Sequence, residues 1–146
     1  MEKVFLRIRH PMAFEVTSGE QGNFETLRGH KYALMVTFRR NGKAEPTPIW
    51  FGLSQNGHVY THTFADAGKV KRLSSNPRAL LAPCGARGKP LGPAIEGHGR
   101  VLASREWERA EQAIQANYGL GRRIYMAPAR KHRQAMTYLE IAPQSG

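Results

Sequence analysis

Two Asn-Gly dipeptides, each between runs of strand-forming residues, constrain the fold of this chain more than any other feature. Asn41-Gly42 separates the run Tyr32–Arg39 from the run Ala44–Leu53. An Asn-Gly pair readily adopts the positive φ angles of a tight hairpin turn, so the spacing predicts an antiparallel pair of strands. Asn56-Gly57 precedes a further predicted strand that begins at His58.

Three more strands are expected, over residues 79–84, 94–103 and 137–141, with a helix that Ser104 caps between the last two. Pro46 and Pro48 lie in the returning strand of the hairpin, and proline removes a backbone donor, so that strand is expected at a sheet edge. The chain has 146 residues, the size of one domain. We therefore predict a mainly β fold, a six-stranded antiparallel β-barrel with short helices.

The stretch from His58 to Arg78 predicts a strand, a turn of small residues and a short helix. Three cations, Lys69, Lys71 and Arg72, crowd the start of that helix, where the macrodipole is already positive. Asp66, a predicted N-cap, offsets part of this charge. A bound phosphate would remove the conflict, and a solvated basic helix is the alternative.

The chain carries 22 Lys and Arg against 11 Asp and Glu, a net charge of +11, with a pI near 10.4. Such a balance favours an anionic partner: nucleic acid, an acidic membrane surface, or a phosphorylated or polycarboxylate ligand. The single cysteine, Cys84, excludes an internal disulfide and is expected to be a buried structural thiol. No long apolar run or signal peptide is evident, which predicts a cytoplasmic protein.

Motifs for direct chemistry are absent from the sequence. The six histidines lack the spacing of metal ligands, and Gly-x-Ser-x-Gly does not occur. Carboxylates near the central strands are few, and Glu96 is expected to point outward or to pair with Arg100. Trp50 and Tyr60 fit either a flat bound ring or ordinary barrel packing. Any reaction would therefore depend on a bound cofactor, and we predict no catalytic side chain and no metal.

A set of four motifs resembles a known superfamily. In order they are P-T-P-I-W-F, V-Y-T-H-T, A-G-K-V-K-R-L-S-S-N-P-R-A-L-L-A-P-C and G-P-A-I-E-G-H-G-R-V-L. Their arrangement is similar to that of the pyridoxamine 5'-phosphate oxidase-like flavin-binding proteins, and most of all to the branch of deazaflavin-dependent oxidoreductases that use coenzyme F-420. The resemblance covers Tyr32–Leu102 well. Residues 1–30 are therefore expected to form an N-terminal arm with a short helix, and residues 31–146 the barrel domain.

The resemblance implies a split β-barrel homodimer with two cofactor sites along the subunit interface. It assigns the ring border to Thr47, Pro48, Ile49 and Trp50, and contacts with the ring or phosphate to Tyr60 and Thr61. Lys69 matches the phosphate-binding lysine, Lys71 and Arg72 add charge, and Gly92 and Pro93 fall where the partner subunit reaches across the ring. Gly68 and Gly92 replace an arginine and a glutamine of the oxidases proper, which argues against pyridoxamine phosphate oxidation.

The functional prediction is an oxidoreductase that transfers a hydride between F-420 and a small organic substrate. F-420 carries a phosphodiester and several glutamates, so the basic composition favours it over FMN. FMN-dependent activity, or flavin binding without catalysis, is the alternative. A nucleic-acid or membrane binder is a third possibility that only the net charge supports.

Overall fold

A computed structural model describes residues 9–118 and 135–144 of the chain. Its centre is one sheet of seven strands in the spatial order β2-β1-β5-β6-β7-β4-β3, and every neighbouring pair is antiparallel. The fold is therefore mainly β, as predicted. The strands are β1 Tyr32–Phe38, β2 Ala44–Ile49, β3 Gly52–Leu53, β4 Val59–Phe64, β5 Arg78–Cys84, β6 Ile95–Val101 and β7 Met136–Pro143.

The sheet curls because its two edge strands are joined by only two residues. Strand β2 ends at Ile49 and β3 begins at Gly52, although they lie at opposite ends of the strand order. Three Cα–Cα steps span at most about 11 Å, so the two edges must approach each other and the sheet forms a half-barrel. We call the connecting residues, Trp50 and Phe51, the barrel corner.

The corner explains why the prediction of six strands was wrong. The returning strand of the hairpin was expected to run unbroken over residues 44–53, but it breaks at the barrel corner and its two parts pair with different partners. The edge position of β2, predicted from Pro46 and Pro48, is confirmed. Gly42 and Gly57 have φ of +88° and +86°, as the two Asn-Gly turns require.

Within residues 9–118 and 135–144, two α-helices accompany the sheet, α1 at Gly68–Ser75 and α2 at Trp107–Tyr118. Both predicted N-caps were wrong. Ala67, not Asp66, is the capping residue of α1, and Ser104 is the first residue of a 3-10 turn that leads into α2. The Ala103 N–H there donates to the Glu106 carboxylate at 3.2 Å. Further 3-10 turns lie at Pro11–Glu15 and Glu25–Leu27.

The inner face of the sheet holds the larger apolar core. Helix α1 packs there through Val70 and Leu73, together with Phe24 from the N-terminal segment. The glycines of β6 make room for this packing: a Cβ on Gly97 would lie 2.9 Å from Phe24 Cζ, and one on Gly99 would lie 2.8 Å from Leu73 Cδ2. Because these two glycines have no side chains, Phe24 and Leu73 can pack directly against the backbone of β6.

The outer face of β4 and β7 is covered by α2. Tyr60, Tyr138, Ala110 and Ile114 form a second buried cluster between the helix and the strands. The helix backbone approaches the sheet so closely that a Cβ on Gly52 would lie 2.2 Å from the Ala113 carbonyl oxygen. Only glycine permits this contact.

Candidate functional site

The start of α1 concentrates positive charge. Among the described residues, no side chain caps this helix and its first turn has no acidic residue. Lys69 lies in that turn and is only 7% exposed. A Cβ on Gly68 would be 2.7 Å from Arg72 Nη1, so the guanidinium lies against the first residue of the helix. Two cations and the positive end of the helix dipole therefore occupy one small region.

Arg72 also connects α1 to the hairpin of β1 and β2. Its Nε donates to Thr37 Oγ1 at 2.6 Å. Thr37 is fully buried on the inner face of β1, opposite Glu45 on β2. We did not identify Thr37 from the sequence, since a threonine in a strand gives no sign of a partner 35 residues away. The described contact places the Arg72 guanidinium beside the inner face of the hairpin.

The four predicted ring-border residues divide between the two faces of the sheet and the corner. Thr47 and Ile49 are paired with Met35 and Ala33, whose side chains lie on the inner face. Pro48 alternates to the outer face. Trp50 follows at the barrel corner, where it is partly exposed.

Tyr60 and Thr61, expected to act together, point to opposite faces. Thr61 Oγ1 donates to the Trp50 carbonyl oxygen at 2.7 Å, which ties β4 to the barrel corner. Tyr60 is 1% exposed beneath α2, and its hydroxyl donates to Glu140 Oε2 at 2.6 Å. Within one chain, Tyr60 is therefore part of the packing between α2 and the sheet.

Glu140 is the centre of a polar network under α2. Arg100 Nε contacts Glu140 Oε1 at 2.8 Å, and His58 Nδ1 lies 3.3 Å from Oε2. Burial by itself raises the pKa of Glu140, but the contacts with Tyr60, His58 and Arg100 outweigh it, and the pKa lies below its ordinary value. Burial and the Glu140 carboxylate raise the pKa of Tyr60. The network keeps Glu140 charged.

Glu96 lies on the outer face of the sheet, which agrees with one of its two expected placements, but the expected pair with Arg100 was wrong. Its side chain is largely buried, and it pairs with Arg78 rather than Arg100, at 2.8 Å between Arg78 Nη2 and Glu96 Oε2. The Arg78 guanidinium also lies 4.3 Å above the Phe38 ring. Glu96 therefore has a structural partner on the outer face of β5 and β6.

Gly92 and Pro93 lie away from α1 within this chain. A Cβ on Gly92 would be 2.9 Å from Pro83 Cγ, at the end of β5. Pro83 is paired with Ala33 of β1, four residues from Thr37, which corresponds to about 13 Å along a strand. The loop and the α1 cations are therefore at different ends of β1.

Neither a reactive thiol nor a metal site is formed by the residues that the structure describes. Cys84 is buried, as predicted, and burial raises the pKa of its thiol to about 12. Among the described residues, no three of His, Cys, Asp and Glu are grouped as metal ligands. The helices in the same part of the chain are too short or too polar to cross a bilayer.

A family model described as pyridoxamine 5'-phosphate oxidase matches residues 22–146. The chain belongs to this family. The match agrees with the half-barrel, and it also includes residues 22–30, the last part of the segment that we had assigned to an arm. No curated protein matches the chain.

Solved structures with the same fold have names that refer to different ligands. A conserved hypothetical protein from Mycobacterium tuberculosis is 14% identical, with a TM-score of 0.62 over 87% of this chain and 84% of its own. The heme storage protein HutZ from Vibrio cholerae is also 14% identical, with a TM-score of 0.62 over 84% and 87%. An FAD-binding protein from Mesorhizobium loti is 12% identical, with a TM-score of 0.57 over 83% and 84%. At these identities the likeness concerns the fold alone.

Proposed function

We propose that this chain is an oxidoreductase that binds the deazaflavin coenzyme F-420 and transfers a hydride between it and a small organic substrate. The observation that carries the proposal is the start of α1, where the buried Lys69 and the folded-back Arg72 surround a helix end that no described side chain caps. This combination of cations and backbone N–H groups suits a phosphate.

The donor set fits the cofactor on chemical grounds. Lys69 and Arg72 would hold the phosphodiester, with Lys71, which is exposed on the same helix, contributing charge outside it. Thr47, Ile49 and Trp50 would border the ring from β2 and the barrel corner. When bound, a deazaflavin supplies a hydride donor or acceptor, and the surrounding residues orient the ring and exclude water. The buried hydroxyl of Tyr60 is committed to Glu140 and would not act on the substrate.

A second copy of the chain would complete the site. The α1 cations and the Gly92–Pro93 loop are separated along β1 within one chain. In the arrangement that the family resemblance implies, one protomer would hold the phosphate while the loop of its partner covers the ring. A homodimer with two equivalent sites follows from such a reciprocal arrangement.

The charge of the chain favours F-420 over FMN. A net charge of +11 raises the local concentration of a ligand that carries several carboxylates, whereas FMN needs only two or three cations at its phosphate. FMN is the second candidate, and the FAD-binding protein with the same fold supports a flavin there. Binding without catalysis is the remaining alternative, and the heme storage protein with a similar fold supports it.

The test is a titration of the purified protein with F-420 and with FMN, followed by anaerobic mixing with reduced F-420 and a panel of enones, quinones and tetrapyrroles. We expect F-420 to bind more tightly than FMN and at least one acceptor to be reduced. Tight binding without turnover would leave a storage or carrier role. No affinity for either cofactor would contradict the proposal.

A further inference from the structure

The barrel corner is a place where the backbone cannot pair in the usual way. At Trp50 and Phe51 the chain leaves the β2 edge of the sheet and joins the β3 edge, so ladder hydrogen bonds are interrupted. Backbone N–H and C=O groups that are buried need other partners. Phe51 is buried, at 1% exposure, so its backbone N–H and C=O groups need hydrogen-bond partners within the protein.

Side chains supply these partners, and two of them come from the last turn of α2. The Phe51 N–H donates to Tyr118 Oη at 2.7 Å, and Asn117 Nδ2 donates to the Phe51 carbonyl oxygen at 3.0 Å. Thr61 Oγ1 donates a hydrogen bond to the carbonyl oxygen of Trp50. Both backbone groups of Phe51 are thus held by consecutive residues of one helix.

The same two residues fix the corner to the start of β1. Tyr118 Oη donates to the Lys31 carbonyl oxygen at 2.6 Å, and Asn117 Nδ2 lies 3.1 Å from the His30 carbonyl oxygen. Lys31 Nζ returns a hydrogen bond to the Asn117 carbonyl oxygen and lies 5.5 Å from the centroid of the Tyr118 ring. We call Asn117 and Tyr118 the α2 clamp.

The clamp also orients a side chain at the candidate site. The rings of Tyr118 and Trp50 are stacked, with centroids 4.5 Å apart and planes 19° from parallel. A stacked aromatic pair of this kind restricts the rotamers of both rings. The tyrosine therefore controls Trp50 in two ways: its ring sets the plane of the indole, and its hydroxyl holds the next backbone N–H.

From this geometry we infer that Tyr118 is a positioning residue, which fixes the indole plane of Trp50 so that a planar ring can be accepted at the barrel corner. The inference rests on the proposed function, since it takes Trp50 as a border of the cofactor ring. It assigns a role in ligand binding to the C-terminal end of α2, on the opposite side of the sheet from α1.

The experiment compares Tyr118→Leu, Tyr118→Phe and Trp50→Leu, all made in a Trp107→Phe background so that emission at 295 nm excitation reports Trp50 alone where it is retained. Two quantities are measured for each variant: acrylamide quenching of Trp50 without cofactor, and the dissociation constants for F-420 and FMN. Thermal unfolding is followed for each, to show that the variants are folded.

We expect Tyr118→Leu to increase the quenching of Trp50 and to weaken cofactor binding about three- to tenfold, the effect of losing one aromatic pair. Tyr118→Phe keeps the ring that sets the indole plane, so its quenching and its affinity should stay within about twofold of the parent, while the loss of the hydroxyl that accepts from the Phe51 N–H should lower its unfolding temperature. A purely structural role for Tyr118 would lower the unfolding temperature of the leucine variant without changing its affinity.

The outcomes separate the two proposals. Unchanged quenching in a folded Tyr118→Leu variant would overturn the inference whatever the cofactor does. So would an unchanged cofactor affinity in Tyr118→Leu while Trp50→Leu binds more weakly. If Trp50→Leu itself binds as tightly as the parent, the placement of the ring in the proposed function is wrong, and the positioning role is wrong with it.

Discussion

Helices α1 and α2 pack on opposite faces of the same sheet and differ in how their positive charges are arranged. Near α2, Arg100 and Arg109 both contact carboxylates, with Arg100 2.8 Å from Glu106 and from Glu140. Helix α1 carries Lys69, Lys71 and Arg72 and has no acidic residue in its first turn. One helix is built into an internally balanced network, whereas the other gathers cations at a helix start.

This difference separates a structural surface from a binding surface. A network in which each arginine contacts carboxylates leaves little net attraction for an added anion. Lys69, Lys71 and Arg72 lie near the positive end of a helix dipole, which adds to the attraction that their charges exert on an anion. The predictions below change one side of the comparison at a time.

The largest effect on stability is expected from Glu140→Gln. Glu140 is 7% exposed and is contacted by Tyr60, His58 and Arg100, so removing its charge weakens the pair with the Arg100 guanidinium and leaves the buried Tyr60 hydroxyl with a weaker acceptor. We expect a loss of about 3 kcal/mol in the free energy of unfolding, measured by urea denaturation. Glu108→Gln, at an exposed position on α2, should change this free energy by less than about 0.5 kcal/mol. If both variants lost the same free energy of unfolding, the contacts of Glu140 would not contribute to stability beyond those of an exposed glutamate.

The same pair of proteins gives a pH test. The pKa of Glu140 is lowered in the folded state, so its contribution to stability is present above the ordinary glutamate pKa of 4.5 and is lost as the pH falls through the lower folded value. The difference in stability between the parent and Glu140→Gln should therefore narrow as the pH is lowered from 7 toward 3. A difference that stays constant over this range would contradict the role of the charge.

A smaller effect is expected from Gly52→Ala, which tests how closely α2 lies on the sheet. The new Cβ would be 2.2 Å from a backbone oxygen, which cannot be relieved by a side-chain rotation, so the helix must shift. We expect a loss of about 2 kcal/mol in the free energy of unfolding. Gly85→Ala is the matched control, because its Cβ meets no atom within 4 Å. Similar free energies of unfolding for both variants would mean that α2 can move away from the sheet without loss of stability.

Local patterns in the sequence predicted most of the fold. The Asn-Gly turns, the alternating strands and the edge prolines each concern neighbouring residues, and the structure confirms them. The break at Trp50–Phe51 was missed because it comes from closing the sheet, in which residues far apart in sequence must meet. Nothing in the run from Ala44 to Leu53 marks where the strand changes partners.

The candidate site was predictable only in part, for the same reason. The crowding of cations around Lys69 is visible in the sequence, because helical residues close in sequence are close in space. The contact of Arg72 with Thr37 and the stack of Tyr118 on Trp50 join residues 35 and 68 positions apart, and no local pattern in the sequence indicates such contacts. Tyr60 could not be excluded from the site until its burial under α2 was known.

The central claim is that the start of α1 holds the anionic part of the cofactor, and charge reversal at Lys69 tests it most directly. Lys69→Glu and the uncharged Lys69→Met are compared with Arg105→Glu, which makes the same charge change at an exposed position before α2. Circular dichroism confirms that each variant is folded, and F-420 binding is measured by titration. We predict that Lys69→Met weakens binding about tenfold or more, that Lys69→Glu abolishes it, and that Arg105→Glu stays within about twofold of the parent. A folded Lys69→Glu variant that binds F-420 as tightly as the parent would contradict the anion site.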